Sequence, residues 1–462
     1  MDAAKADLSG GVPEGRSARL RALLSLAWPI VVSRSSQVVI GIADAVMVAH
    51  LGAAALAATT AGSMNAVALF IFPMGITFVV ASFSSQLFGM GDLGAARRYG
   101  WYGLAVAAVA QAVALAAIPL VPPALGLLDY APDVRAAMED YLVLRLLSAG
   151  AAVGMEALGN YFGGLGNTRL QMRASVAAMV LNVAGNWILI DGHLGAPALG
   201  VAGAALASTL SSAVAFLGLL AVFVHDCRRH GTGRLRASEL RRLLRFGFPS
   251  GVTWFFEFAA FAFFLNVILA GLGTLSVAAF MAVIQVNSVA FMPAFGFASA
   301  GAILVGQSIG AGRRDRVTGL VGLTFAVAAA WQAIVALAYL TAPELVLSAF
   351  AREPSTAEAF IAAGRRMLIL SAAWQLFDAA ANVLAESLRA AGDTAFTMWA
   401  RVAVSWAVFA PGSWISVRHL GGGDAVAVGW FVLYLAVLAA VLYLRFRNGA
   451  WRRIVLVEAK VT

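Results

Sequence analysis

Twelve apolar runs, each long enough to cross a hydrocarbon layer, constrain this chain more than any other feature. They lie near residues 22–50, 56–84, 99–120, 136–163, 170–191, 198–224, 246–270, 276–304, 318–341, 363–388, 396–417 and 424–445, separated by short polar or Gly/Pro-bearing breaks. A helix needs about 20 residues to span a bilayer, and backbone in lipid must satisfy its own polar groups, so each run is expected to be a transmembrane helix. The composition agrees, with 61% of 462 residues hydrophobic and only 12% charged. An ordinary soluble domain is excluded. The first run follows a polar leader that lacks an A-x-A cleavage pattern, and it reads as a retained helix rather than a signal peptide.

The basic residues give the orientation. With the N-terminus inside, the inner segments hold Lys5, Arg16, Arg19, Arg21, Arg97, Arg98, Arg169, Arg173, the seven arginines between 228 and 245, Arg313, Arg314, Arg316, Arg389, Arg401 and the run from Arg445 to Lys460. The outer segments hold only Arg135, Arg352, Arg365, Arg366 and Arg418. The positive-inside rule then places both termini in the cytoplasm. The net charge of +9 reports this topology and not nucleic-acid binding. A lone cysteine, Cys227, allows no intramolecular disulfide.

An internal repeat organises the chain. An offset of about 220 aligns Pro29 with Pro249, Leu51 with Leu272, Pro73 with Pro293, Gly75 with Gly296 and Gln86 with Gln307, and it pairs Gly89 and Gly91 with Gly310 and Gly312. Further on, an offset of about 226 aligns Gly166 with Gly392, Gly185 with Gly412 and Gly203 with Gly429. The two glutamines and their glycines read as close-packing and turn elements. Six helices per half give both halves the same orientation, so the expected fold is all-α, with twelve transmembrane helices in two six-helix lobes related by a pseudo-two-fold along the membrane normal. The expected parts are a tail at 1–21, an N-lobe at 22–225, a basic linker at 226–245, a C-lobe at 246–445 and a tail at 446–462. Two facing bundles suit alternating access, hence a transporter.

Ionisable residues inside the runs are costly and normally functional. Asp44 lies about two turns before the outer end of helix 1, with Gln37 and Gly41 on its face. The repeat places Leu265 opposite Asp44, so the acid belongs to one half only. Asn182 and Asn186, four apart on helix 5, reach a similar depth, and Ser208 on helix 6 adds a hydroxyl. These oxygens make Na⁺ possible at Asp44, Asn182 and Asn186, while the same groups would also hold a protonated Asp44. The balance leans to Na⁺, with H⁺ as the alternative. The two asparagines also have a plainer reading as interhelical glue. In the second half Glu257 on helix 7, with Ser250 and Thr253 on its face, and Asp378 on helix 10, in a stripe with Ser371, Gln375, Asn382 and Glu386, both reach mid-membrane. If they face each other, burial and mutual repulsion would favour uptake of a proton or cation. Arg34 also lies inside a run, where a salt bridge to Glu156 would neutralise it. Arg145 has no evident partner.

No G-x-x-x-x-G-K-[ST] loop, H-E-x-x-H helix or Cys/His cluster occurs, so neither an ATP-driven engine nor a metal site of familiar spacing is carried here. No cofactor is expected beyond the coupling ion. The segments "ADAVMVAHLG", "GITFVVASFSSQLFGMGD", "GLGNTRLQM", "LNVAGNWILIDG", "GAPALGVAGAALAST", "GFPSGVTWFFE" and "WQLFDAAANVLAESLRAAGDT", in this order over nearly the whole chain, resemble the multidrug and toxic compound extrusion (MATE) family. Within it the chain is most similar to the bacterial branch with a glutamate on helix 7 and an aspartate on helix 10, matched by Glu257 and Asp378. The resemblance implies antiport of amphiphilic organic cations against Na⁺ or H⁺, with Asp44 in the coupling machinery. It also implies a monomer in the bacterial inner membrane whose partners are lipophilic cations and membrane lipid. Two departures stand out. Asn186 occupies a place where some members carry a second aspartate, and "RAAGDT" replaces "RGAGDT", with Glu386 as an additional acid. A lipid-linked precursor flippase of the same superfamily would need several cationic residues in its cleft, for which only Arg34 and Arg145 are candidates. A membrane-embedded enzyme would use Glu257 and Asp378 as an acid/base pair, but no nucleophile or metal site accompanies them. The stretch "WFFEFAAFAFF" on helix 7 suggests an aromatic wall for a lipophilic cation, with Phe255, Phe261 and Phe264 as its test positions.

Overall fold

The computed structural model describes residues 15–348, 350 and 356–458. Lys5, Arg352 and Lys460 of the topology argument lie outside the described residues, within which there is no β-strand. In chain order the helices are α1 (Arg16–Val48), α2 (Ala53–Gly89), α3 (Leu93–Gly126), α4 (Pro132–Leu146 and Ala149–Gly164), α5 (Thr168–Asp191), α6 (Gly200–His230), α7 (Ala237–Leu272), α8 (Thr274–Gly310), α9 (Arg314–Thr341), α10 (Ala357–Ala390), α11 (Thr394–Ala403, Val404–Phe409 and Ala410–Arg418) and α12 (Asp424–Arg447). Ten of these are long and apolar enough to cross a membrane as they stand. The other two expected spans are interrupted: α4 bends by 47° between its two parts, and the middle of α11 is a π-helical segment.

Residues Val32–Gly251 form one compact unit. In it α4 packs against α2, α3 and α6, while α5 lies along α6. Lipid tails are as apolar as leucine, so helices in a bilayer gain little from hydrophobic burial and associate through close packing of small residues against large ones. The pairs are visible here: a Cβ on Gly62 would lie 2.7 Å from the Tyr141 ring, and one on Gly154 would lie 2.3 Å from that of Phe216. Phe83 stacks on Tyr99 with 4.2 Å between centroids, and Tyr161 meets Phe223 at 5.0 Å. The basic linker is strapped to the start of α3. Arg97 donates to Asp226 and to the carbonyl of Gly231, Arg98 binds both oxygens of Glu239 at 2.7 Å, and Tyr102 donates to Glu239 while accepting from the Arg236 amide.

The segments up to Val31 and from Val252 onward form the other unit. Here α10 packs against α8, α9 and α12. π segments interrupt α7 at Phe264–Leu269 and α11 at Val404–Phe409, and the first and last residues of these two segments, Phe264 and Phe409, touch at 5.1 Å between ring centroids.

The repeat is written into the backbone of the turns. Gly52 after α1 and Gly273 after α7 have φ of 110° and 98°, and Gly91 and Gly312 have φ of 77° and 75°. Side-chain-bearing residues avoid that region, so each turn requires glycine at the same repeat position. Gln86 and Gln307 are buried one turn before the second pair.

Candidate functional site

The α5–α6 contact positions the first constellation. Gly203 sits so close to α5 that a Cβ there would lie 2.4 Å from the Leu189 carbonyl oxygen. That approach brings Ser208, five residues further along α6, within reach of α5 and α1. Asn182 donates to Ser208 Oγ at 2.9 Å, and Ser208 donates to Asp44 Oδ2 at 3.0 Å. Asn186 donates to Asp44 Oδ1 at 2.6 Å. Asp44, Asn182, Asn186 and Ser208 are all buried and form one cluster. Both oxygens of Asp44 therefore accept from neutral donors, while Oδ1 of Asn186 is buried without a hydrogen-bond partner. The orientation suits an anionic carboxylate. A Na⁺ ion would need the Asn186 amide turned over, which would swing that unpartnered oxygen towards the ion.

Five further ionisable residues of this unit find partners of their own. Arg34 donates to both oxygens of Glu156, at 2.7 and 3.1 Å, and Asn160 donates to Glu156 as well. The guanidinium also lies over the Phe78 ring at 5.8 Å. Arg145 lies within electrostatic range of Asp44 and donates to Ser148 Oγ at 3.3 Å. One to two turns outward, His50 and Asp191 meet at 2.8 Å and tie the end of α1 to the end of α5.

The second constellation differs from its expectation. Glu257 and Asp378 do not face each other alone. Arg401 of α11 stands with them, donating through Nη1 to Glu257 Oε1 and reaching Asn382 Oδ1 through Nη2 at 3.5 Å. Asn382 in turn donates to Asp378 Oδ1 at 2.9 Å. Arg401 thus belongs inside helix 11 and not to an inner polar segment, a correction to the topology count. Its position within the 396–417 run was the available signal, but only the tertiary structure supplies its partners. Gln375, grouped with the two acids from sequence, spends its amide on Asn287 of α8 at 2.6 Å. Glu386 pairs with Arg389 one turn along α10. Tyr434 of α12, unremarked in the sequence, is buried within electrostatic range of Glu257 and Arg401. The aromatic wall also needs correction: Phe264 is 0% exposed and packs on Phe280 and Phe409, whereas Phe255 is 45% exposed. Phe264, the first residue of the π segment, lies in the packed interior of its unit.

No group of three or more His, Cys, Asp or Glu side chains able to hold a metal occurs among the described residues. A buried acid inside an apolar helix, with further acids and an arginine inside others of a many-spanned chain, marks a membrane transporter.

Comparison with known proteins gives the family. The MatE family model matches residues 29–188 and 249–415. A protein of Pseudomonas putida named probable multidrug resistance protein NorM is 30% identical over 94% of this chain and 94% of its own length, and the protein of that name from Mesorhizobium japonicum is 30% identical over 92% and 93%. Among solved structures, a multidrug resistance MATE family transporter of the MOP superfamily in an outward-facing conformation superposes with a TM-score of 0.83 at 20% identity, over 97% of this chain and 98% of that one. The eukaryotic MATE transporter AtDTX14 gives 0.80 at 16% identity, over 94% and 96%. The chain belongs to the MatE family of multidrug and toxic compound extrusion transporters, which are not enzymes.

Proposed function

We propose that this protein is a multidrug efflux antiporter of the bacterial inner membrane, with both termini cytoplasmic, that exports amphiphilic organic cations in exchange for Na⁺ or H⁺ by alternating access. The names of its relatives support the multidrug reading. The observation that carries the coupling is Asp44: a buried acid on α1 whose two oxygens are held by neutral donors from α5 and α6. Such a group has one negative charge to give to an incoming cation, and its donors come from two other helices, so occupancy at Asp44 acts on how α1, α5 and α6 pack. A proton needs only the carboxylate, whereas Na⁺ also needs oxygens to replace its water, which Asn182 and Asn186 supply once their amides turn. Glu257 and Asp378 form a second acidic centre, placed to meet a cationic substrate or a further coupling ion. Arg34 is committed to Glu156, which supports a cation exporter over a flippase of pyrophosphate-linked lipids.

The test is ethidium transport in proteoliposomes. An imposed Na⁺ gradient at equal pH, or a pH gradient without Na⁺, should drive transport by the native protein and not by Asp44→Asn. Gradient-driven transport by Asp44→Asn at the native rate would remove Asp44 from the mechanism. A pH gradient that succeeds where the Na⁺ gradient fails assigns the proton.

A further inference from the structure

Arg401 places a permanent positive charge between two acids in the membrane interior, and this has a consequence for which substrates the second constellation accepts. A guanidinium cannot lose its proton in a protein, whereas Glu257 and Asp378 each can gain one. With both acids ionised, the trio of Glu257, Asp378 and Arg401 carries a single net negative charge. Tyr434, the other titratable group against it, adds none while its hydroxyl is protonated. The long stem of Arg401 emerges from α11 three residues before the π segment that begins at Val404, and π turns inside α-helices frequently mark functional sites. Its two ends of contact are unequal. Nη1 is bonded to Glu257, while Nη2 stands at 3.5 Å from Asn382, whose amide holds Asp378. Nor is the pair sealed, since the Glu257 side chain is 32% exposed and that of Arg401 14%. The repeat places Ser175, a neutral residue, opposite Arg401, so the first half has no counterpart.

We propose that Arg401 is a tethered counterion that occupies Glu257 and leaves Asp378 as the one open negative charge, which makes this a site for singly charged organic cations. The proposal rests on the reading of Glu257 and Asp378 as the cation-handling acids, and it goes further by giving them unequal roles. When Glu257 is neutral, the guanidinium has one anion left to bind, namely Asp378 through the side of Asn382. Loss of Glu257 should therefore silence the site by self-occupation, and removal of the Arg401 charge as well should reopen it. Loss of Asp378 has no such remedy. With Arg401 alone neutralised, two acids are open and a dication gains the advantage.

The experiment measures efflux of ethidium, a monocation, and methyl viologen, a dication, from cells expressing equal amounts of folded protein as judged by size-exclusion profile. Glu257→Gln and Asp378→Asn should each lower ethidium efflux by about tenfold or more, as expected when the cation loses the one open charge that would hold it. Glu257→Gln with Arg401→Gln should recover most of that loss, Glu257→Gln with Arg401→Lys should not, and Asp378→Asn with Arg401→Gln should stay inactive. Arg401→Gln alone should raise the rate for methyl viologen relative to ethidium, a readout that a merely structural ion pair would not move. The counterion role is overturned if the folded Glu257→Gln, Arg401→Gln double variant is as inactive as Glu257→Gln, or if that variant does not fold and Arg401→Gln leaves the substrate ratio unchanged. Native efflux by Asp378→Asn instead overturns the underlying reading of the two acids.

Discussion

Asn186 on α5 donates a 2.6 Å hydrogen bond to Asp44 on α1, joining two residues 142 positions apart in the chain. Together with Ser208 it satisfies both oxygens of an acid that the bilayer would otherwise leave stranded. Asn186→Ala is expected to leave one carboxylate oxygen of Asp44 without its donor, at a cost of about 1–3 kcal/mol for a buried polar group left unsatisfied. Gradient-driven ethidium transport should fall, with the protein still inserted and monodisperse. Unchanged coupling in reconstituted Asn186→Ala would show that Ser208 alone suffices.

Arg34 and Glu156 form a two-pronged pair within the same unit, with side-chain exposures of 19% and 6%. Breaking one partner of such a pair costs about 3–5 kcal/mol, because the remaining charge stays buried, whereas replacing both by apolar residues is often tolerated. Glu156→Gln should therefore lower the thermal unfolding temperature in detergent clearly, and the double change Arg34→Met, Glu156→Met should lower it less. The opposite order would mean that Arg34 does not depend on Glu156 for its neutralisation.

Gly203 sets the spacing of α5 and α6. A side chain there meets the Leu189 carbonyl, and overpacking of this kind typically costs about 1–3 kcal/mol. Gly203→Val should push α6 outward and carry Ser208 away from Asp44. Both stability and transport are expected to fall in this variant. Stability at the native level would mean that α5 and α6 leave room for a side chain at this position.

Phe255 and Phe264 lie on one helix but in different surroundings. In a Cys227→Ser background and in detergent solution, Phe255→Cys should react with a membrane-permeant maleimide faster than Phe264→Cys. Phe264→Ala should also destabilise the protein by about 3–5 kcal/mol, the usual cost of emptying a core phenylalanine site. Rapid labelling at position 264 would show that this ring does not lie in the packed interior.

Much of the molecule was legible from composition and periodicity. The spans follow from the need of a buried backbone to bond to itself, and the repeated turns follow from glycines at fixed offsets. The grouping of Asp44 with Asn182, Asn186 and Ser208 was legible because all four lie at comparable depth on helices that the topology makes neighbours. Helical spacing also grouped Gln375 with the two acids, yet its amide is taken by Asn287, since spacing along one helix says nothing of the neighbour that a side chain meets.

What the sequence alone determined is the class: an all-helical membrane transporter of two repeated halves, because bilayer thickness and backbone hydrogen bonding act on each segment locally. What only the tertiary structure decided is where the charges are cancelled. Arg401 reads as a cation near a helix end until α11 is laid beside α7 and α10, where its guanidinium falls between Glu257 and Asn382. Phe264 reads as part of an aromatic wall until its packing on Phe280 and Phe409 shows it buried. Electrostatic pairing and side-chain burial depend on atoms brought together from different helices, Glu257 and Arg401 being 144 residues apart, and no local rule in the chain specifies that meeting.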